Sequence, residues 1–135
     1  MDEDEHDKDY EYVVIGCGAT GFSVIKELAR KNKRVLAIDS SVERIEVLKD
    51  QEYDAIVGDA TEDEIYKTID IFKVSVILVL TPSVEINAEA IKKIRKLSKE
   101  IFIISRATNQ KTKEELEVLG ADFVVTPQDA MKNAI

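Results

Sequence analysis

Six short apolar runs, rich in β-branched residues, recur along the chain at 12–15, 34–38, 55–57, 76–80, 101–105 and 123–126. They are nearly continuous rather than alternating, the pattern of strands buried on both faces of a parallel sheet. Between them lie charged stretches whose apolar residues fall at helical spacing. Phe22, Ile25, Leu28 and Ala29 share one face of the first, and Val42, Ile45 and Leu48 one face of the second. The third, 62–68, is short; Ala90, Ile91, Ile94 and Leu97 form the stripe of the fourth. The last, 111–119, stops at Gly120, a C-terminal signal. Strict alternation of strand and helix predicts an α/β fold over residues 12–126. It is a Rossmann-type, doubly wound, parallel six-stranded sheet of order 3-2-1-4-5-6, because each parallel crossover needs a covering helix. Beyond it, Thr126-Pro127 opens the expected start of a C-terminal helix over 127–135, read as cut within a longer helix.

The first strand runs directly into Gly16-Cys17-Gly18-Ala19-Thr20-Gly21, and a helix follows. A GxGxxG pattern alone is a weak signal; here it has the strand before it and the helix after it that a dinucleotide fingerprint requires. Gly16 permits the tight turn, Gly18 lets the backbone approach a pyrophosphate, and Gly21 allows close helix–sheet packing. The N–H groups opening the helix then meet phosphate oxygens, aided by the helix dipole. Asp39 ends the second strand 21 residues after Gly18, where a carboxylate accepts hydrogen bonds from ribose hydroxyls and repels a 2′-phosphate. That disfavours NADP. Arg44 offers a charge that could compensate for that repulsion, but it lies a turn or more into the next helix and reads first as a solvated helix charge. Asp39 serves the adenosine ribose of NAD, ATP, ADP or AMP equally, and the residues alone do not separate these.

Further candidates lie at the carboxyl ends of later strands. Gly58-Asp59-Ala60-Thr61 follows the third strand, whose edge borders the adenine in such folds. Asp59 either contacts the adenine amino group, positions the loop, or caps the next helix, where Thr61 with Glu64 three residues on has capping-box spacing. Thr81 follows the fourth strand and can contact ribose or phosphate, or serve as a turn residue. Arg106 ends the fifth, a planar donor fork suited to phosphate or to a structural ion pair. Ser40 beside Asp39 and Ala60 beside Asp59 complete the expected cofactor-binding set with Gly16, Cys17, Gly18, Ala19, Thr20 and Gly21.

Charge changes the picture little. The formal charge is −8, but residues 1–12 hold seven acids and one base, leaving 20 acids and 18 bases in the remainder. The acidity belongs to an N-terminal tail, 1–11, expected to be disordered and solvated. No basic stripe supports nucleic-acid binding. No apolar run approaches the ~20 residues of a membrane span, and the acidic N-terminus has no secretory signal. The single cysteine, Cys17, excludes an intrachain disulfide and fits a reducing cytoplasm. Acid–base machinery is sparse: the one histidine, His6, sits in the tail, and no Cys/His cluster has metal spacing. No tyrosine has a lysine four residues on. A cofactor domain with no visible catalytic group reads as a sensor rather than an enzyme.

Taken together, YVVIGCGATG at the first strand, AID at the second, VGDAT after the third, VILVLT at the fourth, IISRA at the fifth and LGADFVVTP at the end resemble the RCK/KTN (TrkA-N) potassium-transport nucleotide-binding domains over residues 12–135. GDAT and LGADFVVTP are more specific than the glycines. The resemblance implies a cytoplasmic regulatory domain that binds NAD(H) or an adenine nucleotide and works as a homodimer or higher homo-oligomer beside a membrane potassium channel or transporter subunit. It lies peripheral to the membrane with no direct insertion. It also implies nucleotide contacts at Gly16, Gly18, Gly21, Asp39, Asp59 and Arg106, and a helix from TPQDAMKNAI crossing to a partner subunit. Calcium-gated members carry acids at the ends of the fourth and fifth strands, where this chain has Thr81, Arg106 and Thr108. ATP-binding members often carry an arginine in the glycine loop, where this chain has Ala19-Thr20, which tilts the expectation toward NAD(H). Two other readings are the cofactor half of an NAD-dependent dehydrogenase and a nucleotide-sensing lobe fused to a hydrolase.

Overall fold

The computed structural model describes residues 9–135. The elements run β1 (Tyr12–Ile15), α1 (Ala19–Arg30), β2 (Val35–Asp39), α2 (Val42–Asp50), β3 (Asp54–Val57), α3 (Asp63–Thr68), a 3-10 turn (Ile71–Lys73), β4 (Val76–Val79), α4 (Val84–Leu97), β5 (Phe102–Arg106), α5 (Gln110–Leu119), β6 (Phe123–Val125) and α6 (Pro127–Ala134). All six strands are parallel, in the order β3-β2-β1-β4-β5-β6. The expected fold and strand order are therefore those observed. Strand bounds differ from the expected ones by a residue at some ends.

Each central strand sends alternate residues to two cores. Val13, Ile15, Leu36, Ile38, Ile77, Val79 and Ile103 pack with Ile65 and Tyr66 of α3, Ala90, Ile91 and Ile94 of α4 and Leu116 of α5. Val14, Ala37, Ala55 and Leu78 face the other way, onto Ile25 of α1 and Ile45 and Leu48 of α2. Burial on both faces is why the strands read as unbroken apolar runs. Each fully buried Ile, Leu or Val contributes about 1.5–3 kcal/mol relative to exposure.

Not every stripe residue reaches a core. Val42 and Leu97 are 55% and 47% exposed, each the terminal residue of its helix, where the stripe runs past the sheet. Part of the stretch expected as an acidic tail, residues 9–11, lies against the body. Residues 1–8 lie outside the described residues, but Tyr10 packs on the first core and donates to Asp54, while Arg34 donates to the Asp9 carbonyl at 2.7 Å. An aromatic ring with apolar surface to bury ties this stretch to the body.

Toward the β5–β6 edge the second face of the sheet is only partly covered. Phe102 and Phe123 are about half exposed, and α6 buries no residue, with Met131 and Ile135 open to solvent. α6 is nonetheless well started: Pro127 occupies its first turn and Thr126 with Asp129 forms a capping box, held by Lys113 at 3.1 Å.

Candidate functional site

β1 hydrogen-bonds to both β2 and β4, so the chain reverses direction across the sheet at the carboxyl end of β1. Open α/β sheets bind ligands in the crevice at such a point. The glycine loop fills it. Gly16 has φ +97°, and a Cβ there would stand 2.7 Å from the Thr81 nitrogen. A Cβ on Gly21 would collide with the Gly16 carbonyl. These two glycines are demanded by the protein itself. Gly18 is different: its backbone is extended (φ −71°, ψ −161°), and a Cβ there meets nothing within 4 Å.

Gly18 is the N-cap of α1 but supplies no side-chain cap, and the first turn contains no acid. Among the described α-helices, α1 alone has neither. Ser41, Ser83, Asn109 and Thr126 cap α2, α4, α5 and α6, and α3 carries Asp63 and Glu64 in its first turn. The N–H groups opening α1 thus point, unsatisfied and dipole-polarised, into open space, where an anion would complete them.

Asp39, 7% exposed, accepts from the Cys17 N–H at 2.7 Å and the Ser41 N–H at 2.8 Å, fixing the carboxylate against the loop. The Cys17 thiol turns away into the second core and donates to the Ile38 carbonyl at 3.4 Å. Burial first, and the Asp39 charge second, push the Cys17 thiol up to about 12. Cys17 therefore lends the site a backbone N–H already spoken for by Asp39, and no nucleophile. Its native thiol should resist iodoacetamide at pH 8 and react once the protein is unfolded. Folding holds this proton on, so the associated stability is intact below about pH 9 and is lost as pH rises toward 12. Ready alkylation of the folded protein would refute the buried placement.

Arg106 reaches across the crevice, donating to the Thr20 hydroxyl at 2.8 Å and the Thr81 carbonyl at 3.2 Å. The structure thus joins the first turn of α1 and the carboxyl ends of β4 and β5 through Thr20, Thr81 and Arg106 at one place. On the other side, just past β3, the Gly58 N–H donates to the Asp39 carbonyl at 3.0 Å. Ser40 is exposed beside Asp39. Asp59 is exposed, accepts from the Thr61 N–H and hydroxyl at 2.8 and 2.7 Å, and is held below the usual carboxylate range by those bonds. This turn replaces the capping box expected of Thr61 and Glu64; Glu62 is the N-cap of α3, without a side-chain bond. Ala60 is buried, its carbonyl taking the Tyr66 hydroxyl at 2.6 Å, so its side chain packs in the core rather than lining the crevice.

Two further residues belong to the site. Arg44, expected as a solvated charge, reaches back to place its guanidinium 3.6 Å from Asp39 Oδ2. Asn87, 1% exposed, accepts from the Thr81 N–H and hydroxyl and donates to the Thr81 and Arg106 carbonyls. A cavity of about 670 Å³ lined by Tyr10, Leu36, Tyr53 and Ile69 opens at the opposite sheet edge and shares no residue with this crevice.

Fold, switch point and uncapped glycine-loop helix define a Rossmann nucleotide-binding domain. The chain belongs to the TrkA-N domain family, whose pattern it matches over residues 12–127. It is 31% identical over 118 residues to potassium channel protein 1 of Methanocaldococcus jannaschii, covering 86% of this chain and 35% of that one. It is 29% identical to Ktr system potassium uptake protein A of Bacillus subtilis, covering 92% and 56%. The chain therefore spans about a third to a half of these relatives. Among solved structures, the NAD(P)-binding domain of an exopolyphosphatase-related protein from Archaeoglobus fulgidus superposes with TM-score 0.87 at 40% identity, over 93% of each chain. The GsuK channel bound to NAD has the same fold, with TM-score 0.80 at 20% identity over 88% of this chain and 22% of that one.

Proposed function

We propose that this domain binds an adenine nucleotide, NAD(H) foremost, and serves as a regulatory lobe of a potassium channel or transporter rather than as a catalyst. The observation that carries the reading is the N-terminus of α1, open at Gly18 and flanked by Asp39. The pyrophosphate would lie on the N–H groups of Ala19, Thr20 and Gly21. Asp39, with two oxygens fixed by backbone donors, would take the adenosine ribose, with Ser40 and Asp59 along the adenine edge and Thr81 and Arg106 at the distal phosphate or ribose. ADP, ATP and AMP fit the same half of the site. The relatives named for potassium channel and uptake systems favour the transport role. The half-covered sheet around Phe102 and Phe123, with the unpartnered α6, favours a homodimer or larger homo-oligomer in which these surfaces are buried. Among the described residues no helix is long and apolar enough to cross a membrane.

A second reading, a nucleotide-sensing lobe attached to a hydrolase, is favoured by the exopolyphosphatase-related protein at 40% identity. A phosphoesterase domain on the same polypeptide would select it, and membrane-spanning segments or a channel subunit as partner would select the first.

Calorimetry with NAD, NADH, ADP, ATP and AMP tests the shared core of both readings. Asp39→Ala should weaken the ligands by about 10–100-fold, since hydrogen bonds to a charged group contribute about 1.5–3 kcal/mol. Binding of none of the five to the wild type would refute nucleotide recognition.

A further inference from the structure

Arg44 is an unusual neighbour for a ribose-binding acid. It stands in the first turn of α2, and its side chain runs back toward the end of β2, as helix geometry directs. Its guanidinium lies 3.6 Å from Asp39 Oδ2; the arginine side chain is 55% exposed and the Asp39 side chain 6%. Among the described residues it makes this ion pair and no side-chain hydrogen bond, so its planar donors are open toward solvent.

A lone carboxylate at this position repels a phosphate on the ribose 2′ oxygen. Here the carboxylate is neutralised on its outer side by a cation that remains free to donate. The inner side of Asp39 is held by the Cys17 and Ser41 N–H groups, so the carboxylate is anchored independently of Arg44. A ribose whose hydroxyls meet Asp39 would carry its 2′ substituent to the rim where the guanidinium stands. Arginine suits phosphate there, because its fork matches two phosphate oxygens.

We infer that Arg44 is a specificity-determining residue of the nucleotide site, admitting adenine nucleotides phosphorylated on the 2′ oxygen alongside unphosphorylated ones. The inference rests on the nucleotide-binding reading above. It departs from the expectation, drawn from Asp39, that a 2′-phosphate is disfavoured.

The test compares AMP with adenosine 2′,5′-bisphosphate, which differ only at the 2′ oxygen, on wild type and Arg44→Ala. Wild type should bind both. Arg44→Ala should weaken the bisphosphate by about 10-fold or more, the loss of one charge-assisted contact, while AMP changes by less than about 3-fold. Arg44→Lys should fall between, keeping the charge and losing the fork. Circular dichroism confirms folding, which an exposed arginine should not control. Equal losses for the two ligands would mean that Arg44 only shapes the Asp39 loop, and would overturn the inference, as would no change for either. Wild type that binds AMP but not the bisphosphate overturns it alone. Wild type that binds neither overturns it together with the nucleotide-binding reading.

Discussion

Gly18→Val should leave the protein folded and reduce nucleotide affinity by about 100-fold or more, a loss of roughly 2.7 kcal/mol. The three loop glycines make this sharper than substitution of a fingerprint glycine ordinarily allows. At Gly16 the backbone has φ +97° and Thr81 stands within 2.7 Å of any Cβ; at Gly21 the Gly16 carbonyl is in the way. Alanine at either should destabilise the fold, and lost binding there says nothing about a ligand. Gly18 has an extended backbone that any residue adopts, and open space beside it. Valine costs at most about 1 kcal/mol as a poorer N-cap than glycine. The only thing a branched side chain there can obstruct is a group seated on the α1 N-terminus. Thermal melts and calorimetry on the same samples separate the two effects. Normal affinity in folded Gly18→Val protein would show that no phosphate sits on this loop.

The sheet and its order were legible because the physics that forms them is periodic. Strands such as Tyr12–Ile15 are buried on both faces, so they stand out as unbroken apolar runs between amphipathic helices. The glycine loop was legible because its spacing encodes backbone geometry. What escaped was side-chain reach. Arg44 was placed by sequence distance, a turn into α2, whereas side chains in a first turn lean back over the helix N-terminus and so return to the strand end they left. Asn87 sits three, four and seven residues before Ala90, Ile91 and Ile94, squarely on the buried stripe of α4. A polar residue on an apolar stripe was the available signal, and it marks a buried hydrogen-bonding hub. At Asp59 two patterns overlapped: the sequence supports both a Thr61–Glu64 box and an Asp59–Thr61 turn, and the turn, closed by two bonds to one oxygen, prevails. Local spacing cannot rank two such arrangements when both satisfy the same backbone.

Asn87 yields the second large effect, and on stability as well as binding. Its amide spans α4 and the carboxyl ends of β4 and β5: Oδ1 accepts from the Thr81 hydroxyl at 2.7 Å and N–H at 3.2 Å, and Nδ2 donates to the carbonyls of Thr81 at 3.0 Å and Arg106 at 3.3 Å. In Asn87→Ala the Thr81 hydroxyl can still donate to the Ser83 carbonyl, and the Thr81 carbonyl still accepts from Arg106 Nε. The Thr81 N–H and the Arg106 carbonyl lose these bonds. Unmade bonds to buried groups cost about 1–3 kcal/mol each, so the variant should lose roughly 2–4 kcal/mol. Nucleotide affinity should fall in the protein that remains folded, because Thr81 and Arg106 are no longer held at the crevice. Asn87→Asp supplies the control for shape. It keeps an acceptor for Thr81 but turns a second oxygen onto the two carbonyls, raising the pKa of the introduced carboxyl above its unfolded value. The destabilisation should be full at pH 7 and shrink as pH falls through that raised pKa, where the protonated carboxyl can donate again. Denaturant titrations at pH 7 and pH 5 read both the size and the sign. An Asn87→Ala cost below about 0.5 kcal/mol, the scale of an ordinary surface change, would show that the strand ends hold their positions without the amide. So would an Asn87→Asp protein as stable as wild type at pH 7, since a buried carboxylate facing two carbonyls would then cost nothing.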